Sequence, residues 1–186
     1  PSRGLGDVYK RQDTDIPQED YAHVTNCLLM STATPILDEE NGTLYFVRRQ
    51  GAGLANPAAA MASQAYIQVE GTNKSKFELG DDPERTGVYT MDFEVVNFSD
   101  GEKTYTLDTA VLGQKAEGGQ IRGGKVTYLV YDYARKLSAA VTSSAADGRI
   151  TVPAHATAQV SVTVTLSDAC LLYTSPSPRD GLLTRM

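Results

Sequence analysis

Cysteine is nearly absent from this sequence, histidine occurs twice, clusters of basic residues are missing, and no apolar run approaches the length of a membrane span. Each absence removes a class of function. Of the two cysteines, Cys170 lies in a terminal stretch that does not read as evolved protein, which leaves Cys27 alone: no intrachain disulfide and no metal site of cysteine spacing can form. A single thiol does not assign a compartment, because secreted bacterial proteins also do without disulfides. Basic residues number 17 against 23 acidic ones, a net charge of −6, and a surface of that sign excludes nucleic acid and anionic membranes as expected partners. A spanning helix needs roughly 18 or more consecutive apolar residues, and none is present. His23 has neither a second histidine nor clustered carboxylates nearby in sequence and reads as an ordinary surface or core residue. No metal and no cofactor is expected.

Both ends of the chain are read as something other than evolved protein. Asp7-Val8-Tyr9-Lys10-Arg11-Gln12 can be encoded by GATGTGTATAAGAGACAG. The opposite strand, CTGTCTCTTATACACATC, read from its second base, spells Cys-Leu-Leu-Tyr-Thr and opens a serine codon, which is Cys170-Leu171-Leu172-Tyr173-Thr174-Ser175. Two distant protein segments have no physical reason to encode each other's complement, whereas inverted adapters flanking a sequenced insert must do so. The DNA resembles a transposase-end adapter. Residues 1–12 and 170–186 are therefore expected to be adapter-derived and are excluded from fold and function. The remaining insert, residues 13–169, is expected to have lost both true termini. Setting the ends aside removes five basic and two acidic residues, so the insert's net charge is −9. Its length suits one modest domain plus part of another.

Residues 13–20 are polar and contain Pro17, a loop. From Tyr21 to Ala33 the apolar residues Tyr21, Val24, Cys27, Leu28 and Leu29 recur at helical spacing until Pro35 stops the pattern. A charged turn at residues 38–42 precedes a short strand over 43–47. Asn56 caps a short helix over 57–62, with Pro57 at the first position, where a missing N–H costs nothing. Beyond Ser63 the period changes to two. Ala65, Ile67 and Val69 alternate with Gln64, Tyr66 and Gln68, and Phe77 and Leu79 form a second short piece. Over residues 88–97, Tyr89, Met91, Phe93 and Val95 oppose Thr90, Asp92 and Glu94. Asp100-Gly101 turns into a strand over 103–112, residues 114–124 read as a long glycine loop, and strands follow at 125–133, 136–141 and 149–153. The last strand puts Val160, Val162, Val164 and Leu166 on one face. Seven or so short strands at this spacing predict an antiparallel sandwich.

Two stretches, Leu28-Leu29-Met30-Ser31-Thr32-Ala33-Thr34-Pro35 and Arg48-Arg49-Gln50-Gly51-Ala52-Gly53-Leu54-Ala55-Asn56-Pro57-Ala58-Ala59-Ala60-Met61, together resemble the closing segment of a subtilisin-like serine peptidase domain of the large cell-envelope type, the lactocepins and complement-cleaving peptidases. The chain beyond Ser63 resembles the fibronectin type III-like domain that adjoins such a catalytic domain: Phe93-Glu94-Val95-Val96-Asn97-Phe98-Ser99-Asp100 as a strand and asparagine turn, and Ile150-Thr151-Val152-Pro153-Ala154 with residues 159–166 as a final hairpin. The resemblance implies a mainly β chain, an antiparallel fibronectin type III-like β-sandwich (63–169) preceded by a helical remnant (13–62) of an α/β subtilase domain. It implies a fragment of a secreted or cell-envelope serine endopeptidase. The partners implied are the missing upstream catalytic domain and the parent's protein substrates. The helix face of Val24, Cys27 and Leu28, lacking that upstream body, is expected to be only weakly tied to the sandwich.

Hydrolysis in that family needs an aspartate, a histidine oriented by it and a serine activated by the histidine. The corresponding motifs, Asp-Ser/Thr-Gly, His-Gly-Thr-His and Gly-Thr-Ser-Met-Ala, do not occur: Gly42-Thr43 and Gly71-Thr72 continue with Leu44 and Asn73, and His23 and His155 precede Val24 and Ala156. No catalytic residue is assigned, and the fragment is expected to be inactive. Asp81-Asp82-Pro83-Glu84 reads as a solvated acidic turn rather than a calcium loop. Gly118-Gly119 and Gly123-Gly124 lack the context of a phosphate loop, and Asn41, Asn73 and Asn97 head glycosylation patterns that chance produces often. The competing expectation is a free-standing β-sandwich adhesion or binding module of a surface protein.

Overall fold

The computed structural model describes residues 18–80, 82–122 and 125–167. A 3-10 turn leads into α1 (Tyr21–Ser31), followed by a two-residue ladder of β1 (Leu37–Asp38) with β2 (Thr43–Leu44), then α2 (Val47–Gln50) and α3 (Pro57–Ala62). Strands follow: β3 (Ala65–Val69), β4 (Val88–Asn97), β5 (Lys103–Thr106), β6 (Leu112–Arg122), β7 (Lys125–Lys136), β8 (Ala139–Ser143), β9 (Arg149–Val152) and β10 (Ala156–Leu166). The chain is mainly β, in several antiparallel sheets with a modest helical part, as the period-two patterning predicts.

The central sheet runs β3-β4-β10-β8. Its spine is the β4–β10 ladder, in register from Ala156 opposite Asn97 to Thr165 opposite Val88. Alternation places Met91, Phe93 and Val95 of β4 beside Val160, Val162, Val164 and Leu166 of β10 on one buried face. Ile150 and Val152 of β9 and Val111 close the core from the other side, where β9 pairs with β5. Removing each of these side chains from water contributes about 1.5–3 kcal/mol, so the core is the main source of stability. The opposite face of β4 carries Thr90 and Asp92, both exposed. The expected faces of β4 and β10 hold.

Four local expectations fail, each for a physical reason. The strand expected over 43–47 stops at Leu44, because Val47 buries its side chain by starting α2, which ends at Gly51 with φ of +60°. Phe77 and Leu79 pack against the core but belong to no strand, having no described backbone ladder beside them. The strand from Lys103 ends at Thr106: Leu107 donates its N–H to Gly148 O at 2.8 Å, the last bond in the β5–β9 register, and beyond it the facing segment turns through the 3-10 segment Ala146–Gly148 and offers no further strand. The glycine loop over 114–124 is instead a strand: β6 pairs with β7 from Leu112 opposite Lys136 to Arg122 opposite Lys125. Register shifts between Gln114 and Ala116 and between Glu117 and Gly119 absorb the irregular residues, which is where bulged strands accept glycine. Gly123 and Gly124 lie outside the described residues, as do residues 1–12 and 170–186, the two ends expected to be adapter sequence.

Candidate functional site

The period-two pattern of β3 sends Ala65 and Ile67 toward the sandwich core and Tyr66 and Gln68 to the other face. Helix α1 packs on that second face. Its residues Val24, Cys27 and Leu28, spaced three and four apart, are exposed by only 3%, 0% and 0%, and Val24 and Leu28 cluster with Ala60 of α3, Tyr66 and Phe98. The expectation of a helix weakly tied to the sandwich is therefore corrected. Alternation alone hides this dock, because it assigns Tyr66 to the polar phase of the strand, whereas an aromatic ring there gives the helix a surface to cover.

A polar chain crosses the same contact. The Cys27 thiol lies 3.5 Å from His23 Nδ1, His23 Nε2 lies 2.8 Å from Gln68 Oε1, and Gln68 Nε2 donates to Glu94 Oε2 at 2.6 Å. Gln68 Nε2–H is committed to the carboxylate, so its Oε1 accepts from His23 Nε2–H and leaves Nδ1 to accept from the thiol. A thiol, an imidazole and a carboxamide in line have the order of a cysteine nucleophile with its base. The chemistry is missing: Cys27 is fully buried, and burial pushes its thiol from an ordinary 9.0 to about 11. Burial also pushes Tyr66, whose ring stands edge-on to His23 at 6.2 Å, up to about 12, with the charges of Cys27, Asp20 and Glu94 adding to the effect. The chain therefore fixes helix to sheet rather than activating a nucleophile.

Ser31, the serine nearest the family-like motif, is likewise structural. Its Oγ accepts the Ile67 N–H at 3.0 Å. His23 stands eight residues earlier on the same helix, roughly 12 Å away along the axis at about 1.5 Å per residue, beyond proton-transfer reach. His155 meets Asp100, Nε2 to Oδ1 at 2.9 Å, and its N–H reaches Ser99 O at 3.2 Å, so a serine, a histidine and an aspartate do come together. Ser99 Oγ, however, is buried and turned inward between Asn97 Oδ1 at 2.7 Å and Gly101 O at 2.9 Å. The histidine and aspartate are exposed. No nucleophile faces them among the described residues.

The remaining motifs resolve into structure. Asn97 is fully buried; its amide donates to Gly101 O, Val152 O and Pro153 O and its Oδ1 accepts from Ser99 N, so it is the knot of the corner between β4 and β9, not a glycan acceptor. Asn41 and Asn73 are exposed. The Asp82 carboxylate accepts from Thr86 N at 3.0 Å, Gly87 N at 2.8 Å and Tyr89 Oη at 3.2 Å, and the two amides hold it below the usual carboxylate range. A carboxylate saturated by its own loop has little left for calcium; Asp81 lies outside the described residues. Among the described residues no group of three or more His, Cys, Asp or Glu is placed to hold a metal, and no described helix is long and apolar enough to cross a membrane. Cavities of about 270 and 520 Å³ flank Ser31 and Ile67, and neither is lined by histidine or cysteine.

No protein-family profile matches the chain. One curated protein does. The C5a peptidase of Streptococcus pyogenes is 24% identical over 159 residues, which is 86% of this chain but 12% of the relative's length. A match of that extent takes in both the helical segment and the sandwich. The chain is thus distantly similar to a subtilisin-family peptidase, its fold suits a fibronectin type III-like domain, and no catalytic machinery stands among its described residues.

Proposed function

We propose that residues 13–169 are an interior piece of a secreted or cell-envelope subtilisin-like serine endopeptidase. Residues 13–62 close its catalytic domain and residues 63–169 form the fibronectin type III-like sandwich beside it, a spacer or a surface that contacts protein substrates. Residues 1–12 and 170–186 are translated adapter. The observation that carries this reading is the 159-residue similarity to a peptidase, running through helix and sandwich together. Its length is close to the 157 residues left once both ends are set aside. By its name the relative acts on C5a; for this chain the substrate class is protein, and the serine that cuts it lies upstream. The deciding experiment is to recover the DNA preceding the codon for Asp13 from its source. A Gly-Thr-Ser-Met-Ala-type motif a few tens of residues before Tyr21 is the expected result. A start codon and signal peptide directly before Asp13, with no such motif, overturns the proposal.

One observation favours the second reading, a free-standing binding module: α1 buries its apolar face on Tyr66 and Phe98 of this same chain, so the helix does not require an absent catalytic domain to cover it. The same recovered DNA separates the two readings.

A further inference from the structure

The two edges of the four-stranded sheet are treated differently by the fold. On β3 the residues bonded to β4 are the even ones, because Phe98 N donates to Gln64 O and Glu70 N to Asp92 O along the same register. The N–H groups of Ala65, Ile67 and Val69 therefore point outward, and each is occupied: by Ser63 Oγ, by Ser31 Oγ and by Lys74 O. Helix α1 and the following turn close that edge. On β8, Ser144 N donates to Ser161 O and Ser167 N to Ser138 O, which makes Ser138, Ala140, Thr142 and Ser144 the residues bonded to β10. Antiparallel alternation then turns both the N–H and the C=O of Ala139, Val141 and Ser143 away from the sheet. No described strand lies beyond β8, and no hydrogen bond of the described residues engages those three outward N–H groups. Natural edges are blunted by charge, proline or a bulge, yet residues 137–146 contain no charged residue, no proline and no glycine.

We propose that the free edge of β8 is a docking site for an extended segment of a protein partner, bound by strand addition through Ala139, Val141 and Ser143. The segment supplies backbone groups at two-residue spacing. Ala139 and Val141 are half-buried against the core, so apolar side chains at alternate positions of the segment extend the core's rim, while Ala140 and Thr142 face water. The edge itself is uncharged, and the net charge of −9 over residues 13–169 disfavours a segment with acidic residues. A second copy of the chain is the poorer occupant: the edge offers five residues, against roughly 20–30 a side in a stable interface, and pairing brings two acidic bodies together. The proposal does not depend on the peptidase reading.

The test uses the full chain, 15N-labelled, titrated with a peptide of four Lys-Val repeats and with the same peptide N-methylated at every residue, which keeps its side chains and removes the donors of both edges. Val141→Pro and Ser143→Pro each delete an outward N–H and leave the β10 ladder intact. Expected are shifts and slowed exchange at Ala139, Val141 and Ser143 with the unmodified peptide, affinity weakened about tenfold or more by either proline, and no binding of the N-methylated peptide. Absence of any shift at millimolar peptide, equal binding of the N-methylated peptide, binding at β3 instead, or a concentration-dependent dimer protecting β8 without peptide overturns the proposal.

Discussion

Two buried residues govern the stability of this chain in opposite ways. Phe93, 4% exposed in the middle of β4, contributes by filling space, and Phe93→Ala is expected to cost about 3–5 kcal/mol through lost transfer energy and the cavity left behind. A urea midpoint unchanged from the parent's contradicts its place in the core. Asn97 contributes by pairing: its fully buried amide serves the carbonyls of Gly101, Val152 and Pro153, of which the Val152 bond is buried away from water. Asn97→Ala leaves those acceptors short and is expected to cost about 3 kcal/mol. Asn97→Asp is expected to be worse at neutral pH, since a carboxylate faces three carbonyls with no donor, and to recover in part below about pH 4, where protonation restores one. Equilibrium urea melts at the two pH values measure both.

At the scale of elements, the joint between α1 and β3 is the feature to test. Its apolar contacts and the chain from Cys27 through His23 and Gln68 to Glu94 predict amide-exchange protection of residues 24–29 close to that of β10. Exchange of the helix at the rate of a free peptide contradicts the docked arrangement. The same joint gives a pH dependence whose sign follows from burial. Cys27 and Tyr66 both keep their protons to higher pH when folded, about 11 and about 12 against 9.0 and 10.0. Between those values the unfolded chain has already released protons that the folded chain holds, so stability falls as pH rises. The contribution is whole below about pH 9 and gone above about pH 12. Denaturation midpoints taken from pH 8 upward are expected to decline, and Cys27→Ala to flatten the lower part of that decline.

For the molecule as a whole, the prediction concerns activity. Removing any member of a serine triad already lowers the rate by several orders of magnitude. Here Ser31 is spent on a strand amide, Ser99 is buried inside the Asn97 corner, and the thiol nearest a histidine is held protonated. The purified chain is expected to leave casein intact and to take no label from a fluorophosphonate probe. Stoichiometric labelling of a serine, lost on His23→Ala or His155→Ala, contradicts both the family reading and the assignment of the chemistry to an upstream segment.

Local rules made much of the chain legible. Period-two alternation fixed the faces of β4 and β10, because a strand with one buried face has no freedom to choose its register. Asn56 and Pro57 fixed the start of α3, where Asn56 Oδ1 accepts from Ala59 N at 3.0 Å. The absence of the three serine-peptidase motif strings is a property of the sequence alone and needs no fold. What the sequence did not decide was where non-local partners fall. Whether Gly118 and Gly119 belong to a loop or a bulged strand depends on β7 lying alongside, and whether α1 stays wet depends on Tyr66 facing it across the sheet. His155 and Asp100 meet 55 residues apart, the half-buried polar chain joins His23 to Gln68 across 45, and the sealed edge of β3 pairs Ile67 with Ser31 across 36. Those separations carry no periodic signal. Only the packed tertiary structure brings such groups within hydrogen-bonding distance, and it alone left one sheet edge closed and the other open.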